Sequence, residues 1–172
     1  LTDYYYATRT DATAADPVVL PWMAIGRIAA NDAAQGASVV NEIINYEKTP
    51  PANPAYYDRM AFAAYFQDSD ADHVEDRAYL QTLEEIREHV TTLGYAIERV
   101  YVRDTTDPLF YLDGTPVPPD VTAAMTTNAT ATTALKANAA EGNLLIAHRD
   151  HGTEDGWHRP TFTSADLNAI IT

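Results

Sequence analysis

Seven consecutive residues, Met60-Ala-Phe-Ala-Ala-Tyr-Phe66, carry no charge. A strand that is apolar throughout is covered on both faces, which places it centrally in a parallel sheet. Leu144-Leu-Ile-Ala147 reads in the same way, as a short, buried, central strand. Between them, about Glu75 to Leu93 has helical spacing: Tyr79, Leu83, Ile86, Val90 and Leu93 fall on one face, and Gly94 stops the helix. Tyr95 to Val102 alternates as a strand. Asp104 to Asp120 is a Pro/Gly-bearing loop, long enough to suggest a functional or mobile insert. Val121 to Ala140, rich in Ala and Thr, is expected to form one weak helix or two short ones.

The flanks continue the pattern. Tyr4 to Thr8 reads as extended, and Val18 to Ile28 holds a strand at Trp22–Ile28. Asn31 or Asp32 caps a helix running to about Lys48, with Ala33, Ala37, Val40 and Ile44 at helical spacing. Thr49 to Pro54 ends it. A last helix starts at Thr163-Ser-Ala-Asp166. The alternation of strands and helices implies an α/β fold, a mostly parallel sheet with helices on both faces. Such sheets place their sites beyond the carboxyl ends of the strands. Two of those ends carry chemistry: Phe66-Gln-Asp68 and Ala147-His-Arg-Asp-His151.

Composition narrows the partners. The net charge is -14 and only Lys48 and Lys136 are lysines, which argues against nucleic acid and anionic membrane surfaces. An acidic surface suits a secreted or salt-tolerant protein, and equally a merely soluble one. No apolar run approaches the ~20 residues of a membrane span. The cysteine count is zero, which removes disulfides and thiolate ligands from this chain.

Three sets of residues invite chemistry. His151, followed by Gly152, fits a general base at a strand end with a neighbouring backbone N–H for an oxyanion, or else a histidine that merely ties down a loop. His148, His151 and His158 offer a zinc alternative, at irregular spacing. Asp68, Asp70, Asp72 and Asp76 fall at positions 1, 3, 5 and 9 of a calcium loop, with the Val74 carbonyl at position 7. Position 6 is His73 rather than Gly, and position 12 lacks Glu. The competing reading is a solvated acidic loop capping the next helix. Asn128-Ala-Thr130 fits a glycosylation tripeptide of a kind common by chance.

Together these residues resemble the catalytic domain of gingipain-type cysteine peptidases, relatives of the caspases in fold. The resemblance spans Asp3-Tyr-Tyr-Tyr-Ala-Thr8, Ile25-Gly-Arg-Ile28 and Val40-Asn-Glu-Ile-Ile-Asn-Tyr-Glu-Lys48. It continues through Phe66-Gln-Asp68, Glu75-Asp-Arg77, Leu93-Gly-Tyr95 and Val100-Tyr101. It ends with His148-Arg-Asp-His-Gly152, Gly156-Trp157 and Phe162-Thr-Ser-Ala-Asp166. It implies a partial caspase-like three-layer sandwich over residues 1–172, cut at both ends. It implies His151 as the catalytic histidine, Gly152 as an oxyanion donor and Asp68 as the assisting acid. Asp76 is the candidate for a preference for basic substrate residues. The family nucleophile is a cysteine on the following strand, ~50 residues past the histidine in caspases, so it is expected beyond Thr172 or on a second chain completing the domain. Calcium is the expected structural ion, no organic cofactor is implied, and the location is secreted or cell-surface. The alternative is a non-catalytic, calcium-stabilised binding domain of a secreted protein.

Overall fold

The computed structural model describes residues 23–171. The chain divides into two compact units, Leu1–Ala52 and Asn53–Thr172. In the first, helix α1 (Ala33–Lys48) begins where the Asp32 carboxylate accepts the Gln35 N–H at 2.8 Å, the side-chain cap the sequence calls for. The strand expected over Trp22–Ile28 does not form at Met23–Ile28, which has no ladder among the described residues. Tyr4–Thr8 and Val18–Trp22 lie outside the described residues.

The second unit begins with the single turn α2 (Ala55–Asp58) and strand β1 (Arg59–Phe66). Helix α3 (Tyr79–Thr92) leads to β2 (Ala96–Arg103), and α4 (Pro119–Ala124) to β3 (Met125–Thr126). Helix α5 (Asn128–Glu141) leads to β4 (Leu145–Arg149). The short hairpin β5 (Gly156–Trp157) and β6 (Phe162–Thr163) precedes α6 (Ser164–Ile171). The sheet order is β3-β2-β1-β4 and every pair is parallel.

Strand alternation builds two cores on the one sheet. Met60, Phe62, Ala64 and Phe66 of β1 pack with Tyr101, Leu80 and Leu83 on the α3 side. Ala63, Val100, Val102, Ala131 and Leu135 pack on the α5 side. Helices therefore cover both faces, and β1 is apolar throughout because neither face meets water. Burying a side chain such as Phe62 contributes roughly 2–3 kcal/mol.

The second unit differs from the expectations in four places. Helix α3 starts at Tyr79, not Glu75, because His73 to Glu75 pair with the 104–120 loop instead: Phe110 N donates to His73 O, and Glu75 N to Phe110 O, both at 2.9 Å. Its buried face is Leu80, Leu83 and Glu84, while Ile86 and Leu93 stay 44% and 63% exposed. Glu84 turns inward because Arg87, Arg99 and the Tyr101 hydroxyl all bind its carboxylate. The 104–120 loop contributes Leu109, Tyr111 and Val117 to the core and is folded on itself by Val117 N to Leu109 O at 2.9 Å. Strand β4, expected to be central, pairs with β1 alone among the described residues, and Leu145 is 48% exposed.

Candidate active site

The register of β1 against β4 aligns Ala64 with Arg149. Gln67 lies three residues beyond Ala64, and His151 two beyond Arg149. Both therefore emerge from the carboxyl edge of adjacent strands. The His151 ring meets Gln67 there, with Nε2 3.1 Å from Oε1. The Gln67 amide is oriented by its other end, which donates to Ser69 Oγ at 3.1 Å. Because an amide oxygen only accepts, Nε2 of His151 carries the proton and Nδ1 presents a lone pair. The ring is flanked edge-on by Tyr79, 5.7 Å between centroids, and by His158 at 6.2 Å.

Gly152 is placed by the turn that follows. His158 N donates to His151 O at 3.0 Å and Thr153 N to Gly156 O at 2.7 Å. These two bonds bracket the Gly152–Trp157 bridge. Gly152 is thus at a non-hydrogen-bonded position of the ladder, with its N–H turned away from Trp157. Gly156 closes the turn at φ +159, where a Cβ would sit 2.1 Å from the Phe162 carbonyl oxygen. An open cavity of about 550 Å³, lined by Thr153, Glu154, Asp155, Trp157, Phe162 and Leu167 among others, adjoins the turn.

The three histidines go separate ways. His148 stacks on Trp157 at 4.4 Å and its Nε2 meets Arg159 O at 3.2 Å. Burial lowers its pKa, opposed by the Arg159 carbonyl and Asp150. His158 Nδ1 lies 3.1 Å from Asp150 Oδ2. Among the described residues only Asp68, Asp70 and Asp72 bring ligand atoms within 4.8 Å of one another, so the three-histidine zinc arrangement is not assembled.

Asp68 stands at the same sheet edge as His151, one residue past Gln67, but its carboxylate faces its own loop. It accepts from Thr105 Oγ1 at 2.8 Å, His73 N at 3.2 Å and Asp72 N at 3.1 Å. Asp70 and Asp72 converge beside it. His73 adopts φ +69, the left-handed conformation that a calcium loop usually gives to glycine, and its ring is anchored on Thr106 O at 2.9 Å. Asp68, Asp70 and Asp72 are thus a group of carboxylates close enough together to share one ion. Val74 and Asp76 fall outside that group. Asp76 Oδ2 accepts the Ser69 N–H at 2.9 Å, and hydrogen bonds from Ser69 hold its carboxyl below the ordinary range.

Glu75 is wholly buried and accepts from Leu80 N at 2.6 Å and Gln81 N at 3.4 Å, capping α3 from below. Burial pushes its carboxyl up to about 7, against the lowering effect of those amides. Asn128 is tied to Thr161 through both ends of its amide, at 2.9 and 3.0 Å. Sequence reasoning passed over Gln67, Asp150 and the pairing of His158. Gln67 had one available signal: its place directly after an apolar central strand whose parallel neighbour ends near His151.

No curated protein and no solved structure matches the chain. The family model of Peptidase family C25 matches residues 1–171. With a parallel sheet covered on both faces and a His-Gly turn at its carboxyl edge, the chain belongs to peptidase family C25, the gingipain family of cysteine peptidases.

Proposed function

We propose that this chain is the histidine-bearing part of a Cys-His endopeptidase whose thiol comes from sequence beyond Thr172, on a segment or second chain that completes the domain. The observation that carries the reading is the Gln67–His151 contact, which leaves Nδ1 of the imidazole as the acceptor. In this mechanism Nδ1 takes the thiol proton, and the thiolate attacks the scissile carbonyl carbon. The oxyanion is held by backbone N–H groups, including that of Gly152. The imidazolium then protonates the leaving amine, and the C–N bond breaks to give a thioester. His151 next takes a proton from water. The resulting hydroxide attacks the thioester, the acid product leaves and the thiol is restored.

Asp68 serves this site indirectly in our reading, by fixing the loop that begins at Gln67. Asp76 is proposed to favour basic substrate residues near the dyad. Calcium on Asp68, Asp70 and Asp72 is proposed as a structural ion, with the Val74 carbonyl and Asp76 as further ligands if the loop tightens. A secreted or cell-surface location is consistent with the family and with the acidic composition. No helix among the described residues is long and apolar enough to cross a membrane.

The test is alkylation. The complete peptidase should lose turnover with a thiol reagent and with His151→Ala, and the 172-residue chain alone should hydrolyse nothing. Hydrolysis by the pure chain that survives alkylation would defeat the proposal. A second reading, a non-catalytic calcium-stabilised binding domain, is favoured by the zero cysteine count together with the convergent carboxylates. It wins if the residue that docks beside His151 in the complete protein is not a cysteine.

A further inference from the structure

We infer that the cavity beside the His-Gly turn is a second substrate subsite, in which Glu154 and Asp155 select a basic side chain across the scissile bond from Asp76. The inference rests on the reading of His151 as the dyad imidazole.

The cavity measures about 550 Å³, and Trp157, Phe162 and Leu167 line it together with the two acidic residues. Trp157 is held in place, stacked on His148 at 4.4 Å and tilted against Phe162 at 5.5 Å. Leu167 stands 49% exposed on α6. Such walls suit the hydrocarbon stem of a long side chain, and an aromatic face also attracts a cation. The volume accommodates a whole arginine or lysine side chain.

The negative charge of this cavity is not cancelled from within. The cations carried by α5 and by the hairpin are engaged elsewhere: Lys136 by Asp166 at 2.6 Å, Arg159 by Asp104, and His158 beside Asp150. Glu154 and Asp155 are exposed, and no cation among the described residues pairs with them. The backbone beneath them is fixed. Thr153 N and Oγ1 both donate to Gly156 O, at 2.7 and 3.1 Å, and Ser164 N and Oγ donate to Asp155 O, at 2.9 and 3.0 Å. A site held this firmly loses little freedom when a ligand enters.

Position decides the occupant. Trp157 and Phe162 pack on the α5 face of the sheet. Asp76 lies toward α3, its N–H bonded to Gln67 O at 2.8 Å. His151 stands between them, its ring against Tyr79 of α3 on one side and His158 of the hairpin on the other. A peptide whose scissile bond lies at His151 therefore offers one flanking residue toward Asp76 and the other toward the cavity. The net charge of -14 draws cationic peptides to both. The substrate class that fits is a peptide with a basic residue on each side of the cleaved bond.

The test uses the complete peptidase and peptides in which one flank of the cleaved bond is arginine and the other is arginine, lysine, norleucine or glutamate, in both orders. In one order kcat/KM should rank arginine and lysine above norleucine by roughly tenfold and glutamate last. The Glu154→Gln, Asp155→Asn double variant should remove that preference while changing the norleucine peptide less than about twofold. Asp155→Lys should raise the glutamate peptide above the arginine one, an inversion that loss of structure does not produce. No basic preference on the varied flank in either order, or a preference that the double variant retains, would overturn the inference. The 172-residue chain tests the cavity apart from the chemistry. Nα-acetylarginine amide should shift the Trp157 indole N–H signal in wild type and not in the double variant, and equal shifts in both would overturn the inference. Absence of any thiol-dependent turnover in the complete peptidase would defeat the dyad reading itself, a result distinct from either.

Discussion

Nε2 of His151 lies 3.1 Å from Oε1 of Gln67, across 84 residues of sequence. The contact exists because β1 and β4 run side by side in parallel, so that the first polar residue after one strand meets the His-Gly turn after the other. A neutral amide there fixes the tautomer without adding charge. Replacing Gln67 with Ala should free the ring to rotate and lower kcat/KM of the complete peptidase by roughly tenfold to a hundredfold. Gln67→Glu should keep most activity, because a carboxylate oxygen still accepts from Nε2 of His151 and holds the same tautomer. Equal activity of wild type and Gln67→Ala would show that the contact does not orient the dyad.

Glu75 yields a prediction about pH. Its carboxyl, ordinarily near 4.5, is pushed up to about 7 by burial. Between those values the folded chain holds a proton that the unfolded chain has lost, so stability falls as pH rises through this window. The carboxylates of Asp76, Asp113, Asp120 and Asp166 are shifted downward and act in the opposite sense at lower pH. Glu75→Gln removes the buried charge and keeps an acceptor for the Leu80 and Gln81 amides. Its unfolding free energy from urea titration should stay nearly flat from pH 5 to 8 and exceed that of wild type by roughly 2–3 kcal/mol at pH 8. Parallel wild-type and variant curves would refute the assignment.

The loop of Asp68, Asp70 and Asp72 is expected to respond to calcium. Carboxylate oxygens within 4.8 Å repel one another, and a divalent ion relieves that. Millimolar calcium should raise Tm, by mass action worth about 2.7 kcal/mol at a hundredfold excess over Kd. That corresponds to roughly 5–10 °C for a chain of this size. The Asp70→Asn, Asp72→Asn double variant should lose the response while keeping the Asp68 bonds to Thr105 and His73. A Tm indifferent to both calcium and chelator would leave the loop as a capping device only.

What the sequence revealed follows from where each interaction lives. Met60–Phe66 was legible because burial on both faces is written into the strand itself. The inward face of α3 was misjudged at Ile86 and Leu93, since the burial of Glu84 depends on Arg99 and Tyr101 of β2, which no helical periodicity contains. The place of His151 at the sheet edge was visible from its glycine and its strand. Gln67 was not, because an uncharged side chain leaves no electrostatic signature and its role arises only from the parallel register. The Asp150–His158 pair depends on a turn closed by Gly156 at φ +159 against the Phe162 carbonyl, a backbone event that side-chain spacing does not report.

The outer side of β4 carries the last prediction. Among the described residues this strand pairs only with β1. Its first residues, Leu145 to Ala147, are apolar, and Leu144 and Leu145 are 37% and 48% exposed. A parallel strand with an open edge is a template for another chain, and its exposed leucines favour association. The edge also ends beside His151, where a nucleophile would have to arrive. Pairing of a further strand along Leu145–Arg149 would therefore cover the leucines and deliver a thiol to the dyad in one step. Native material containing this chain should migrate as a species larger than 18.9 kDa. Hydrogen exchange at Ile146 to His148 should slow when the completing segment binds. A charged substitution on the edge, Leu145→Glu, should weaken that association by about 1–3 kcal/mol with little effect on the isolated chain, because Leu145 is already half in solvent. A soluble 18.9 kDa monomer whose β4 amides are protected from exchange on their own would show the strand covered from within, and would favour the binding-domain reading over the peptidase.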